Sequence, residues 1–154
     1  MIVIMEKVFK TLSRNDTGET NSHQSGISIP KNIVELGIFP DLGTDELNPR
    51  RTLDFFEEDG TFWTFQFIYY NDYYFGKPKN KCHNEYRLTR VIDLIRKHEV
   101  KSGDEIYFYI DISGIRKVGF VKKEFSEHLK IDLNNIEIKK NVITLNKNWK
   151  TIKY

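Results

Sequence analysis

Between Ser13 and Lys31 the chain places Ser13, Asn15, Asp16, Thr17, Thr20, Asn21, Ser22, His23, Gln24 and Ser25, with no large apolar side chain before Ile27. A run with so little to bury is not core. Long excursions from a folded domain are either functional or disordered. Amides, imidazole and hydroxyls are also the groups that hydrogen-bond to base edges in a DNA major groove. Gly18 and Gly26 allow the backbone to bend or to approach another molecule closely. Two readings therefore stand at this point: a recognition loop, or a solvated, mobile one.

A second stretch, Asn71 to Asn84, reads NDYYFGKPKNKCHN. Gly76 and Pro78 forbid a continuous helix here. Lys77 and Lys79 are natural phosphate contacts. Lys81, His83, Glu85 and Arg87 alternate, so on a strand-like segment they share one face. Arginine or lysine suits guanine N7 and O6, and glutamate can accept from cytosine N4. Asn84 and Arg90 complete the candidate set along 77–90. The plainer explanation is an exposed strand edge whose charges prevent aggregation.

Catalytic patterns are sparse. Asp132 with Glu137-Ile138-Lys139 has the form of a metal-dependent nuclease, whose carboxylates hold magnesium while the lysine assists a water. The same residues also fit an alternating exposed strand. His23, His83, His98 and His128 are scattered without zinc-site spacing, and Cys82 is alone, which excludes a disulfide framework or a cysteine-based zinc site. No glycine-rich phosphate-binding lysine motif is present, so this stretch of chain is no nucleotide motor, and no cofactor is expected. A third class, single-strand binding by stacking on Tyr69, Tyr70, Tyr73, Tyr74 and Phe75, needs those rings exposed.

The elements that must carry these groups are short. The 154 residues suit one domain, 1–154, with a real core. No apolar run approaches the roughly 18 residues a membrane span needs. The early charges of MIVIMEKVFK do not suit a signal peptide, and the lone cysteine fits a reducing compartment, so a cytoplasmic location is expected. Net charge is only +2, but its distribution is uneven. Asp41 to Gly60 sums to −5 and Lys77 to Lys97 to +5, as opposite faces of a nucleic-acid binder would.

Val3 to Leu12 reads as a first strand, and Pro30 opens a helix of one or two turns that Gly37 stops. Thr52 to Phe56 and Thr61 to Tyr70 form a hairpin around Asp59-Gly60. Within it Trp63, Phe65, Phe67 and Tyr69 share the core face. Glu85 to Thr89 is a strand. Leu88, Val91, Ile92 and Ile95 predict a short amphipathic helix through about His98. Glu105 to Asp111 and Ile115 to Val121 pair as antiparallel strands, and a helical turn is expected over Phe125 to Lys130. Ile136 to Ile138 and Val142 to Leu145 predict a last hairpin about Lys140-Asn141, with Trp149 to Tyr154 as an edge strand or linker. Many short strands with two short helices make a mainly β, barrel-like domain.

The run NDTG…SHQSGI.IPK resembles the N-terminal recognition arm of EcoRII-type effector domains of restriction enzymes. A second match lies in YYN…FG…NEYRLTR, and a generic one in KSGDEIYFY. That family is related to the DNA-binding pseudobarrel of plant auxin response factors. The resemblance implies a seven-stranded pseudobarrel with two projecting recognition arms, at about 13–31 and 77–90, that reads double-stranded DNA through the major groove. It carries over to Arg14, Asn15, Asp16, Thr17, His23 and Gln24, with Lys10 and Lys31 as flanking phosphate contacts, and to Lys81, Glu85 and Arg87. His83 stands where the family commonly has arginine, and Ser28 where an aromatic is common, so the target sequence is not transferred. The expected partner is duplex DNA. A nuclease or nucleotide-driven translocase is expected elsewhere, attached or as a partner.

Overall fold

A computed structural model describes residues 5–20, 26–125, 141–145 and 148–154. Among them the strands run β1 Glu6–Thr11, β2 Ile27–Ile29, β3 Arg50–Phe56, β4 Phe62–Tyr70, β5 Glu85–Thr89, β6 Glu105–Ile110, β7 Arg116–Val121, β8 Asn141–Thr144 and β9 Trp149–Lys153. They form one sheet in the order β2-β5-β4-β3-β7-β6-β1-β9-β8. Every pairing is antiparallel except β3 with β7, which meet in parallel at Phe56 and Lys117. That single junction joins one half of the sheet (β2 to β3) to the other (β7 to β8). The result is the mainly β pseudobarrel expected, with nine strands among the described residues where seven were implied.

Alternation decides which side chains enter the barrel. On β4, Phe65, Phe67 and Tyr69 are buried, Trp63 is half-buried against them and Phe62 is exposed, as a period of two requires, while Ile68 on the opposite face is buried as well. Phe55 and Phe108 join them from β3 and β6, and Phe39 fills the space between. The Phe39 ring stacks on Phe67 at 5.2 Å and meets Phe108 edge-on at 5.2 Å. Aromatic pairs at such spacing add stability beyond the area they bury.

Two of the short helices contribute to the core. Helix α2, Lys31–Val34, begins after Pro30 and buries Ile33 and Val34. Helix α3, Ile92–Lys97, buries Leu94 and Ile95. Leu88 belongs to β5 and not to the helix, and is buried in the core from there, while Leu94 and Ile95 form the buried face of α3. No helix among the described residues is long and apolar enough to cross a membrane.

Two expectations at the C-terminal end need correction. Asn141 opens strand β8 and is not a turn residue, and β8 pairs with β9. Strand β9 is no edge: it lies between β8 and β1, with Trp149 and Thr151 buried. The proposed partner strand Ile136 to Ile138 and most of the turn expected over Phe125 to Lys130 lie outside the described residues.

Candidate nucleic-acid interface

The first arm opens with structure where a plain loop was expected. Residues Arg14–Thr17 form a helical turn, α1. Ser13 caps it: its hydroxyl accepts from Asp16 N at 3.2 Å, and Asp16 Oδ2 accepts from Ser13 N at 2.9 Å. This reciprocal pair satisfies two backbone donors that a helix start otherwise leaves unmatched. Gly18, at φ 81°, ends the turn. Thr17 is buried, and its hydroxyl bonds to Glu19, which in turn accepts from Ser102 N at 2.8 Å. Those bonds hold the Glu19 carboxyl below its ordinary pKa, the Thr17 hydroxyl contributing most.

This root takes up several groups assigned to DNA. Lys10 is buried, its ammonium 2.7 Å from Asp16 Oδ2. The charge of Lys10 is thus answered within the protein by Asp16. Asp16 is likewise committed to Lys10 and to the cap. Arg14 and Asn15 are exposed on the turn, with Thr20 Oγ1 donating to Asn15 Oδ1 at 2.7 Å. Asn21, Ser22, His23, Gln24 and Ser25 lie outside the described residues.

The arm returns as β2, and here the two arms meet. Strand β2 pairs with β5, the return strand of the second arm, with Ser28 opposite Arg87. Arg87 Nη1 donates to Gly26 O at 3.3 Å and Nε to Glu85 Oε1 at 3.0 Å. Gly26, at φ +85°, presses so closely on β5 that a Cβ there would sit 2.1 Å from Leu88 O. The close approach expected of this glycine is thus made to the protein's own backbone.

The second arm is built on a buried carboxylate. Asp72, in a 3₁₀ turn over Asp72–Tyr74, is 4% exposed. It accepts from His83 N, from Lys77 Nζ at 3.1 Å and faces His83 Nδ1 at 3.2 Å. Tyr73 N donates back to His83 O at 3.1 Å, so both ends of the excursion are tied at one point. Asn71, fully buried, accepts from Asn48 N at 2.8 Å and donates to Gly43 O and Glu46 O. Asn84 accepts from the Tyr69 hydroxyl at 2.5 Å.

Strand β5 begins only at Glu85. The shared face therefore holds for Glu85 and Arg87, while Lys81 and His83 lie in the preceding turn region, where Lys81 N bonds to Pro78 O at 2.9 Å. Gly76, Pro78 and the Asp72 bonds to His83 keep the chain from extending earlier. Lys77, Lys79 and Lys81 are exposed, Lys77 with its charge partly answered by Asp72. Arg90 is exposed at the end of β5 with φ 67°. Ser28, Glu85 and Arg87 are half-buried, and Lys31 is exposed with its ammonium about 6 Å from the Tyr69 and Tyr74 rings.

The backbone N–H of His83, with smaller contributions from its ring and from Lys77, lowers the Asp72 pKa to about 2. A carboxylate depressed in the fold stabilises it above its unfolded pKa, near 3.9, and loses that effect as pH falls through the folded value. The tie on the second arm is therefore expected to weaken between about pH 4 and pH 2. Proteolysis across 75–84 should become faster over that window, and Asp72→Asn should show faster cleavage already at neutral pH. Equal cleavage of the variant and the wild type at neutral pH would show that the arm is held elsewhere.

The charge blocks do not segregate fully. Lys97 and His98 turn back to Glu57, which also accepts from Trp63 Nε1 at 2.8 Å. The basic segment thus divides, with its 77–90 part on the arm. Tyr73, Tyr74 and Phe75 are exposed and Tyr69 is buried, so three of the five stacking candidates are exposed, with Tyr73 beside Lys79 and Tyr74 beside Lys31. Asp132, Glu137 and Lys139 lie outside the described residues. Among the described residues no cluster of histidine, cysteine and carboxylate groups could hold a metal.

Comparison with known proteins places this geometry. Residues 4–93 match the family model described as restriction endonuclease EcoRII, N-terminal. Over 87 residues the chain is 42% identical to the type II restriction enzyme EcoRII of Escherichia coli. The match takes in 54% of this chain and 20% of that enzyme, so the chain spans a small part of its relative's length. In three dimensions it is similar to the protein of an Arabidopsis FUS3-DNA complex, with TM-score 0.55 and 25% identity over 74% of this chain and 94% of that one.

Proposed function

The chain belongs to the family of EcoRII N-terminal restriction-endonuclease domains, and on that premise we propose that it is the DNA-recognition module of a restriction system, reading duplex DNA in the major groove with both arms. The observation that carries this is the junction of the arms at β2 and β5. Ser28, Arg87 and Glu85 lie together there, flanked by Lys31 and the exposed lysines of 77–81. Side chains able to read bases thus sit between side chains able to neutralise phosphate, the division of labour that sequence-specific binding requires. The resemblance in three dimensions to a protein solved with DNA supports the same reading.

Lys31, Lys79, Lys81 and Arg90 serve as backbone contacts, while Arg87 and Glu85 read bases. Asn15, Asn21, Ser22, His23, Gln24 and Ser25 are the further base-reading candidates. Cleavage or translocation belongs to another part of the protein or to a partner.

The purified domain should bind duplex DNA more tightly than single strands, and the affinity should fall steeply with added salt because bound counterions are released. Selection from a random duplex pool should return one short motif. Preference for single strands at matched salt would instead implicate Tyr73, Tyr74 and Phe75 as a stacking platform. Magnesium-dependent cleavage abolished by Asp132→Ala would establish a nuclease.

A further inference from the structure

We propose that Arg50 extends the DNA-contacting surface onto β3 as a backbone phosphate contact, an inference that rests on the duplex-binding reading above. Across the half of the sheet from β2 to β3, Ser28 pairs with Arg87, Arg87 with Ile68, and Ile68 with Arg50. These four residues form one rung. Alternation turns them away from the face that Tyr86, Leu88, Phe67, Tyr69 and Leu53 present to the core; Ile68 is nevertheless buried and Ser28 and Arg87 are half-buried, so Arg50 is the exposed member of the rung. Neighbouring strands lie about 4.8 Å apart, so Arg50 stands roughly 10 Å from Arg87 along the rung. A major groove is about 12 Å wide. With Arg87 at base edges, Arg50 is at the distance of the groove wall.

Arg50 is exposed and makes no side-chain hydrogen bond or ion pair among the described residues. Gln66 and Thr52, paired on the next rung, continue the same polar face. Asp54, paired with Thr64 one rung further along β3, bounds it, since a phosphate would be repelled there. In sequence Arg50 sits inside the acidic stretch 41–60, which conceals its membership of the basic face. Its neighbour Arg51 has the opposite parity, with Leu53 and Phe55, and lies near Arg116.

The adjacent arginines give a charge-matched experiment. Arg50→Ala and Arg51→Ala change the net charge equally, and both residues are exposed, so a general electrostatic effect would treat them alike. Affinity for cognate and random-sequence duplexes is measured across a salt series, with thermal unfolding as the check on folding. Arg50→Ala should weaken both duplexes by the same factor and flatten the logarithmic salt slope by about 0.9, the value of one phosphate contact. Arg50→Lys should restore the slope, and Arg51→Ala should leave it unchanged. An unaltered slope in Arg50→Ala, or equal flattening in Arg51→Ala, overturns the inference while wild-type binding upholds the parent reading. Absence of salt-dependent duplex binding by the wild type overturns both.

Discussion

Gly26→Ala is expected to destabilise the domain by about 2–5 kcal/mol, combining the cost of a left-handed conformation for alanine with the cost of overpacking. The glycine has φ +85°, and an added Cβ would lie 2.1 Å from Leu88 O, 2.8 Å from Leu88 C and 2.9 Å from Thr89 Cα. All three are backbone atoms of β5, so no side chain can rotate away. Relief must come from separating β2 from β5, which is the contact that holds the two arms together. The thermal midpoint should fall by several degrees, since about 1 kcal/mol corresponds to roughly 2–4 °C in a domain of this size. DNA preference should fall with it at temperatures where the variant is folded. Gly43→Ala is the comparison: its φ is also positive, at +70°, but nothing lies within 4 Å of a Cβ there. Equal effects from the two would show that the backbone angle alone matters and that the β2–β5 approach does not.

Arg87→Ala should reduce preference for the cognate site by about 1–3 kcal/mol, the value of one good bidentate base contact. Glu85→Ala should do the same, but the two losses should not add. Arg87 Nε is 3.0 Å from Glu85 Oε1, so each side chain orients the other before DNA arrives. Neighbours coupled in that way commonly show interaction energies of about 0.5–3 kcal/mol in a double-mutant cycle. The cycle is run on cognate and on random duplex. Coupling should appear with cognate DNA and shrink with random DNA. Lys79→Ala, by contrast, should weaken both duplexes alike. If all these changes act equally on every sequence, the second arm is an electrostatic clamp and the bases are read elsewhere.

Part of the architecture follows from local rules that a single chain displays. The alternation over Phe62 to Tyr70 dictates which rings are buried, because a strand turns successive side chains to opposite faces whatever surrounds it. Pro30 and Gly37 bracket helix α2 for backbone reasons that need no tertiary partner. The helical turn at Arg14–Thr17 had a signal of the same kind: Ser13 and Asp16 have the spacing of a capping box. The polar composition around it argues for a loop and masks that signal.

The roles of the charged side chains were decided by tertiary structure. Lys10, Asp16 and Lys77 look like surface charges in sequence, yet the fold binds Lys10 to Asp16 and Lys77 to Asp72. Arg50 looks acidic by its neighbourhood, yet strand pairing sets it on the rung of Arg87. Phe39 has no periodic partner nearby, and only closure of the barrel places it among Phe55, Phe67 and Phe108. Residue type and local spacing suffice for the family resemblance and for most of the strand faces, because both are properties of neighbouring residues. Which groups remain available to a ligand depends on which opposite charge or backbone atom lies within about 3 Å of each, and long-range pairing of strands settles that distance.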